Sequence, residues 1–322
     1  VKMFQMETPH KNPMFGLEQE FFISRKTVNL LVPVSFPDSQ TVPSPQGDFY
    51  CGVGGSNVYG RDLIEQILQR LLHAGIPITG LNAEVAPAQW EFQVCATGID
   101  AADSLILLRY ICNRVLEKQD LYMDIAAKPV QGDWNGSGCH INYSTDLMRN
   151  EGGFQYIEQA IKNLSKKHQL HIRHYGDDNN MRLTGKHETS SMSDFSFSVA
   201  GRHTSIRIPS TTKTNECGYF EDRRPSSSLD PYKCTALLHA TSVGLEQDIL
   251  ALFNCQRVTV YQRNKTRYEL VSCYKSGEEL TEISVPIGPQ SISGYVASSK
   301  RAMVIKNPHN EEVKSHNYYH VH

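Results

Sequence analysis

Six glutamates recur in short, distinctive segments: Glu18 and Glu20 in "FGLEQEFFI", Glu84 in "NAE", Glu91 in "QWEF", Glu188 in "HETS" and Glu221 in "YFED". Successive strand side chains alternate between faces, so Glu18 and Glu20 share one side. At ~7 Å and an effective dielectric of about 20 they repel by roughly 2 kcal/mol, and a positive charge belongs in front of them. Half-buried carboxylates that converge on a cavity are costly unless cations neutralise them. Oxygen-rich donor sets suit Mg²⁺ and Mn²⁺, and one imidazole among them, such as His140 in "GCHINYS", points to those ions rather than to Ca²⁺. Solvated strand faces are the competing reading of the same spacing. Arginines accompany the acids: Arg202 and Arg207 in "AGRHTSIRIPS", Arg223 and Arg224 in "YFEDRRPS", with Glu221 and Arg223 on one strand face. A cation-binding carboxylate beside a phosphate-gripping guanidinium is what phosphoryl transfer needs, although an ordinary Glu–Arg cross-strand pair has the same spacing.

The elements that must hold these residues are legible in outline. Leu63, Ile64, Ile67, Leu68, Leu71 and Leu72 fall at helical spacing, with Gly75 as the stop. A second helix is expected through "DSLILLRYICNRVLEKQ" and a third from Phe154, Ile157, Ile161 and Leu164. Asp230-Pro231 makes an N-cap and first-turn pair for a further helix running to about Asn254. Between the helices, "AEVAPAQWEFQV", "GCHINYS", "HTSIRIP" and "CGYFEDR" read as strands, and Val32 to Gly55, rich in Pro, Ser and Gly, as a long loop. This pattern suggests an α+β sheet with helices on one side and a solvated site on the other. The texture changes near residues 240 to 250, after which β-branched runs dominate. The His- and Asn-rich end, 308–322, is expected to be disordered.

Composition narrows the function classes. A chain of 322 residues with 39% hydrophobic and 20% charged residues has the make-up of a globular protein. A formal net charge of -2 offers no electrostatic footprint for nucleic acid or a membrane surface. No apolar run approaches the ~18 residues of a membrane span and no signal pattern opens the sequence, so a cytoplasmic location is expected. Eight scattered cysteines without a CxxC pair read as reduced thiols, not a disulfide framework or zinc site. His168, His171 and His174 in "HQLHIRH" drift around a helix and read as structural, not metal-binding.

Seven motifs in order, "FGLEQEF", "YCGVG…YGRD", "NAEVAPAQWEFQ", "GDWNGSGCHINYS", "RLTGKHETS", "GRHTSIRIPS" and "GYFEDRRPSSSLDPY", give residues 8–240 a resemblance to the catalytic domain of type II, eukaryotic-like glutamine synthetase. The resemblance implies antiparallel strands curved into a half-barrel with helices outside. It implies that Glu20, Glu84 and Glu91 hold a metal on the acceptor side, and that Glu18, His140 and Glu221 hold one bridging the ATP phosphates, two or three Mg²⁺ or Mn²⁺ per site in all. Trp134, Asn135 and Gly136 would seat L-glutamate, with Arg182, Arg202 and Arg223 on its carboxylates or on the moving phosphoryl group. Asn142, Ser144, Arg207 and Tyr219 would contact the nucleotide, and Glu188, on the loop after Gly185, would close the site and help deprotonate ammonium. The implied reaction is ATP-dependent ligation of ammonia to glutamate through γ-glutamyl phosphate, in a homo-oligomer of stacked pentameric rings.

The resemblance is incomplete at both ends. In the family a small β-grasp domain precedes the matching segment and lends the neighbouring subunit an Asp at the ammonium site; without it each site is expected to lack one wall. Met14 stands where the family usually has Trp. The domains expected are 1–244, catalytic, and 245–307, which resembles the first half of a GAF ligand-sensing module. Two other readings accompany the ligase: a non-catalytic scaffold that binds nucleotide and metal or co-assembles with full-length subunits, and a ligase using an amine other than ammonia.

Overall fold

Strand β1 (Met14–Lys26) is the axis of the molecule's larger sheet. Its Phe15, Leu17, Phe21 and Ile23 are fully buried in the hydrophobic core, so pleat alternation delivers Glu18 and Glu20 to the opposite face. The structure, a computed structural model, describes residues 9–26, 31–33, 49–54 and 58–245, and beyond these only three strands, 259–264, 269–275 and 284–286. Two compact units make up the chain, Val1–Gly244 and Leu245–His322.

In chain order the first unit continues with β2 (Leu31–Pro33), α1 (Arg61–His73), β3 (Ile78–Ala83), β4 (Gln89–Thr97), α2 (Asp100–Leu116), β5 (Leu121–Asp124), β6 (Cys139–Ser144), α3 (Asp146–Arg149), α4 (Phe154–Lys166) and α5 (His168–His174). It ends with β7 (Phe197–Val199), β8 (Ile206–Ile208), α6 (Ser210–Asn215), β9 (Phe220–Asp222) and α7 (Pro231–Val243). The sheet order is β3-β4-β1-β6-β9-β8-β7, with β2 and β5 also pairing with β1. Pairing is antiparallel except for β7 with β8, which is parallel and departs from the all-antiparallel expectation.

One core joins the inward side of β1 to α1, α2, α4 and α7 through Ile64, Ile67, Leu71, Leu105, Leu108, Cys112, Ile157, Ile161, Leu164 and Leu238. Helix α1 stops as its sequence requires: Ala74 caps it and Gly75 follows at φ 76°, a left-handed turn that favours glycine. Asp230 caps α7 by accepting from the backbone N–H groups of Tyr232 and Lys233, with Pro231 in the first turn.

Several expectations change. The segment "AEVAPAQWEFQV" is not one strand: Glu84 lies just after β3, a turn follows, and β4 begins at Gln89. Val32 and Pro33, read as loop, pair with Arg25 and Ser24 of β1. Helix α7 ends at Val243, Gly244 turning left-handed at φ 74°; residues 246–254, to which the helix was expected to run, lie outside the described residues, as do the expected tail and most of the GAF-like segment. What is described of the second unit is an antiparallel sheet of β10 (Thr259–Asn264), β11 (Glu269–Lys275) and β12 (Ser284–Pro286). Among the described residues no helix is long and apolar enough to cross a membrane, and Cys51, Cys95, Cys112, Cys139, Cys217 and Cys234 are free thiols.

Candidate active site

Strand register assembles the acids. Glu18 stands opposite His140 on β6 and Glu20 opposite Glu91 on β4. One strand further out, Asn82 faces Glu91 on one side, and Glu221 on β9 faces both Asn142 and Arg207 on the other. The result is a row of polar side chains crossing six strands on the face away from the core. His140 Nδ1 lies 3.3 Å from Glu18 Oε2 and 3.3 Å from Glu221 Oε1, and its Nε2 lies 3.9 Å from Glu20 Oε1. Ligand atoms of Glu18, His140 and Glu221 all fall within 4.8 Å of one another.

Electrostatics divide this row in two. Burial alone would raise Glu221, but His140, then Arg223 and Arg207, bring its carboxyl down to about 2. Arg223 donates to Glu221 Oε1 at 2.5 Å and Arg207 to Oε2 at 3.2 Å. Burial and Arg223 press the His140 imidazole down, yet its bonds to Glu18 and Glu221 and the charge of Glu20 outweigh them and lift it to about 9. On the other flank, among the described residues, no guanidinium bonds the carboxyls: burial, then Glu20, pushes Glu84 up to about 8, and burial, then Glu18, Glu20 and Glu84, pushes Glu91 up to about 9. These carboxyls are held by amides, Asn82 donating to Glu84 at 2.8 Å and Gln93 to Glu91 at 2.6 Å. A buried set of carboxylates with one imidazole, short of positive charge, suits a hard divalent cation such as Mg²⁺ or Mn²⁺.

The residues expected on the substrate side fall into three groups. Trp134 and Gly136 line a pocket of about 310 Å³ together with Lys128, Arg182, Lys186 and His187, and Asn135 lies between them on the same loop. A Cβ at Gly136 would come within 2.5 Å of the Ala127 carbonyl and 2.9 Å of Arg182 Cγ, so only glycine lets this loop close on Arg182. Arg182 is itself buried, donating to the carbonyls of Arg223 (3.0 Å) and Arg224 (3.2 Å) and meeting His140 Nε2 at 3.0 Å. Its guanidinium therefore braces the site as well as lining the pocket.

Glu188 and Arg202 pair with each other at 3.2 Å, while Arg223 donates to the carbonyls of Glu188 and Arg202. The loop carrying Glu188 also reaches the Trp134 loop through His187 Nε2 and Asp133 Oδ1, 2.9 Å apart. In the set expected at the nucleotide, Asn142 donates to Glu18 at 2.6 Å, and Arg207 Nε is buried with no hydrogen-bond partner among the described residues. The Tyr219 phenol is raised by burial and then by Glu18 and Glu221 beside it. Ser144 stands apart at the end of β6, accepting from Arg149 at 2.9 Å.

Some residues escaped the sequence reading. Gln89 and Gln93 face the site because they alternate with Glu91 along β4, a period-2 signal that was available. The neighbours of Glu221 and Arg223 point the other way: Asp222 and Arg224 form a fully buried two-point ion pair, 2.8 and 2.6 Å, to which the Tyr175 hydroxyl adds a 2.8 Å bond. His171 meets Tyr175 and Thr241, and His168 meets Arg224 and the Met192 carbonyl. His168 and His171 thus belong to this buried network, and burial drives both imidazoles down.

A family model described as glutamine synthetase, catalytic domain, matches residues 2–172. The chain belongs to the glutamine synthetase catalytic-domain family. Curated glutamine synthetases extend the likeness toward α7. The enzyme of Saccharomyces cerevisiae is 51% identical over 231 residues, covering 71% of this chain and 61% of its own length. The chloroplastic leaf isozyme of Hordeum vulgare is 49% identical over 240 residues, covering 74% of this chain and 55% of its own. The chain thus spans about three fifths of the length of these relatives. In fold it is similar to a cryo-EM structure of Plasmodium falciparum glutamine synthetase, with a TM-score of 0.62 at 17% identity, over 72% of this chain and 51% of that one.

Proposed function

We propose that this chain carries out the ATP-dependent ligation of ammonia to L-glutamate, giving glutamine, ADP and phosphate. The observation that carries this reading is the convergence of Glu18, His140 and Glu221 within 4.8 Å, with Arg223 and Arg207 on the same carboxylate. Glu18, His140 and Glu221 would hold one divalent cation, and Glu20, Glu84 and Glu91 another; Mg²⁺ and Mn²⁺ both fit the donors. Bound there, such cations supply the positive charge that lets polyphosphate and carboxylates share the site.

The chain's own residues do the remainder. Trp134, Asn135 and Gly136 seat glutamate in the pocket, with Arg182 beneath it. Arg207, whose buried Nε has no partner among the described residues, and Asn142, Ser144 and Tyr219 are the nucleotide contacts. Arg223 and Arg202 stabilise charge as the γ-phosphoryl group of ATP passes to the side-chain carboxylate of glutamate, ADP leaving. Glu188 accepts a proton from ammonium; the freed lone pair attacks the acyl carbon of γ-glutamyl phosphate, the C–O bond to phosphate breaks, and inorganic phosphate departs with the second proton that the nitrogen sheds. The loop bearing Glu188, tied to Arg202 and Asp133, keeps water from that acyl phosphate.

The family resemblance supports a homo-oligomer of pentameric rings and a half-barrel form for the large sheet over residues 1–244; the partial GAF-like segment at 245–307 rests on sequence resemblance alone. A cytoplasmic location fits the cytosolic isozyme of Daucus carota, although relatives named as chloroplastic also match. The test is γ-glutamyl hydroxamate formation by purified chain from glutamate, hydroxylamine and MgATP, together with Mn²⁺ titration of the parent and of Glu20→Ala. Metal-dependent product, and Mn²⁺ binding weakened in the variant, are expected; a protein with neither product nor Mn²⁺ binding refutes the proposal.

A further inference from the structure

We propose that Gln89 is a positioning residue that joins the cation site to the glutamate seat, so that occupancy of one is felt at the other. Resting on the ligand and pocket roles proposed above, this inference concerns the single buried amide between them. Gln89 opens β4 and is 2% exposed. Its Nε2 is 3.2 Å from Glu20 Oε2, 3.1 Å from the Gly136 carbonyl and 3.4 Å from Ser137 Oγ, while the Ala86 N–H donates to its Oε1 at 3.3 Å. Every polar atom of the side chain is therefore engaged, in a place where an unsatisfied group would be costly.

The contacts fix Glu20 in a particular way. Its Oε2 also accepts from the Gly138 N–H at 2.9 Å, and its own N–H donates to the Gly138 carbonyl at 3.1 Å. With Oε2 doubly occupied, Oε1 is the oxygen turned toward His140, 3.9 Å from Nε2. Gln89 thus selects which oxygen Glu20 offers to a cation. The same amide holds the carbonyl of Gly136, on the loop that lines the substrate pocket. A movement of Gly136 on glutamate binding would pull on the donor that orients Glu20, and a cation on Glu20 would stiffen Gly136.

Two ligands whose sites share one donor bind with a coupling ratio, and the ratio is the same in either direction. The experiment measures Mn²⁺ affinity of the full chain with and without saturating L-glutamate, and glutamate affinity with and without Mn²⁺, by calorimetry. Gln89→Met removes the amide at constant length; Gln89→Glu keeps the acceptor for Ala86 but loses the donors. Both are expected to weaken Mn²⁺ binding about 10- to 100-fold, as loss of a ligand-orienting partner does, and to bring the coupling ratio to about one. Ile157→Val in α4, a core change far from the site, should keep the parent's ratio.

A ratio unchanged within about twofold in both Gln89 variants overturns the inference, as does an equal loss in Ile157→Val; the factor is small beside a typical allosteric coupling. A parent that binds Mn²⁺ and glutamate independently overturns it too, while leaving the proposed site standing. A parent that binds no Mn²⁺ overturns both.

Discussion

Glu91 offers the sharpest quantitative consequence, because stability and cation binding should respond to it with opposite signs. In the unfolded chain this carboxyl ionises around 4.5, whereas in the folded protein burial and three neighbouring glutamates hold it protonated to about 9. Between those values the folded state carries one more proton than the unfolded state, so the free energy of unfolding falls as pH rises, by ~1.4 kcal/mol per pH unit. At about pH 7 the accumulated cost is ~3 kcal/mol, and near pH 5 it is less than ~1 kcal/mol. Glu91→Gln removes the titrating group and keeps an oxygen for Gln93. In chelator the variant should therefore be up to ~3 kcal/mol more stable than the parent at about pH 7, the gain shrinking toward zero by about pH 5. Urea unfolding followed by the fluorescence of Trp90, the buried neighbour of Glu91, reads this directly. Adding Mn²⁺ should reverse the order, since a cation that binds only the folded parent adds stability by mass action. A gain independent of pH, or a variant no more stable than the parent at neutral pH, would refute the assignment of buried, uncompensated charge to this flank.

Two further outcomes follow from other parts of the site. Arg224→Met leaves Asp222 buried without its ion-pair partner and should cost about 3–5 kcal/mol in denaturant unfolding, the companion Asp222→Leu recovering part of that loss in the double variant; a double variant whose loss equals the sum of the two single losses would show that the residues do not act as a pair. Lys186→Met takes one cation from the pocket wall and should raise the KM for glutamate about fivefold with little change in kcat, the worth of a ~1 kcal/mol exposed charge contact, and an unchanged KM would place glutamate elsewhere.

The acids were legible because period-2 alternation is a local property: Glu18 and Glu20 had to share a face once β1 was a strand. Their partners were not, because register is a long-range property. Nothing local places Glu91 opposite Glu20 or His140 opposite Glu18; motif resemblance supplied that grouping, and the coordinates show the strand pairs behind it. The same alternation marks Gln89 and Gln93, but uncharged amides between charged ligands attract less notice than the charges do. The break between β3 and β4 was missed although Pro87 interrupts "AEVAPAQWEF" and argues against one strand; the turn at Ala86 to Ala88 also depends on a positive φ at Ala88, which alanine does not advertise. Asp222 was hidden, and Arg224 was grouped with the site arginines although it turns away from them, for a related reason. A strand such as β9 with charge on both faces looks solvated until a helix carrying Tyr175's partner His171 is found beneath it.

His187 and Glu188 are consecutive side-chain-bearing residues with φ of 52° and 60°, a left-handed backbone that costs roughly 1–2 kcal/mol each. The loop is therefore a cocked spring, latched by Arg202, Asp133 and the reach of Arg223. Opening is downhill for the backbone, and the latches alone determine how long the loop dwells over its cargo. Substituting glycine at 187 would relax one of the two strained residues but would also remove the His187–Asp133 contact, leaving Glu188 and Arg202 to hold the loop. Strain and latch thus reside in the same residue, and the posture of the loop reflects the difference between them.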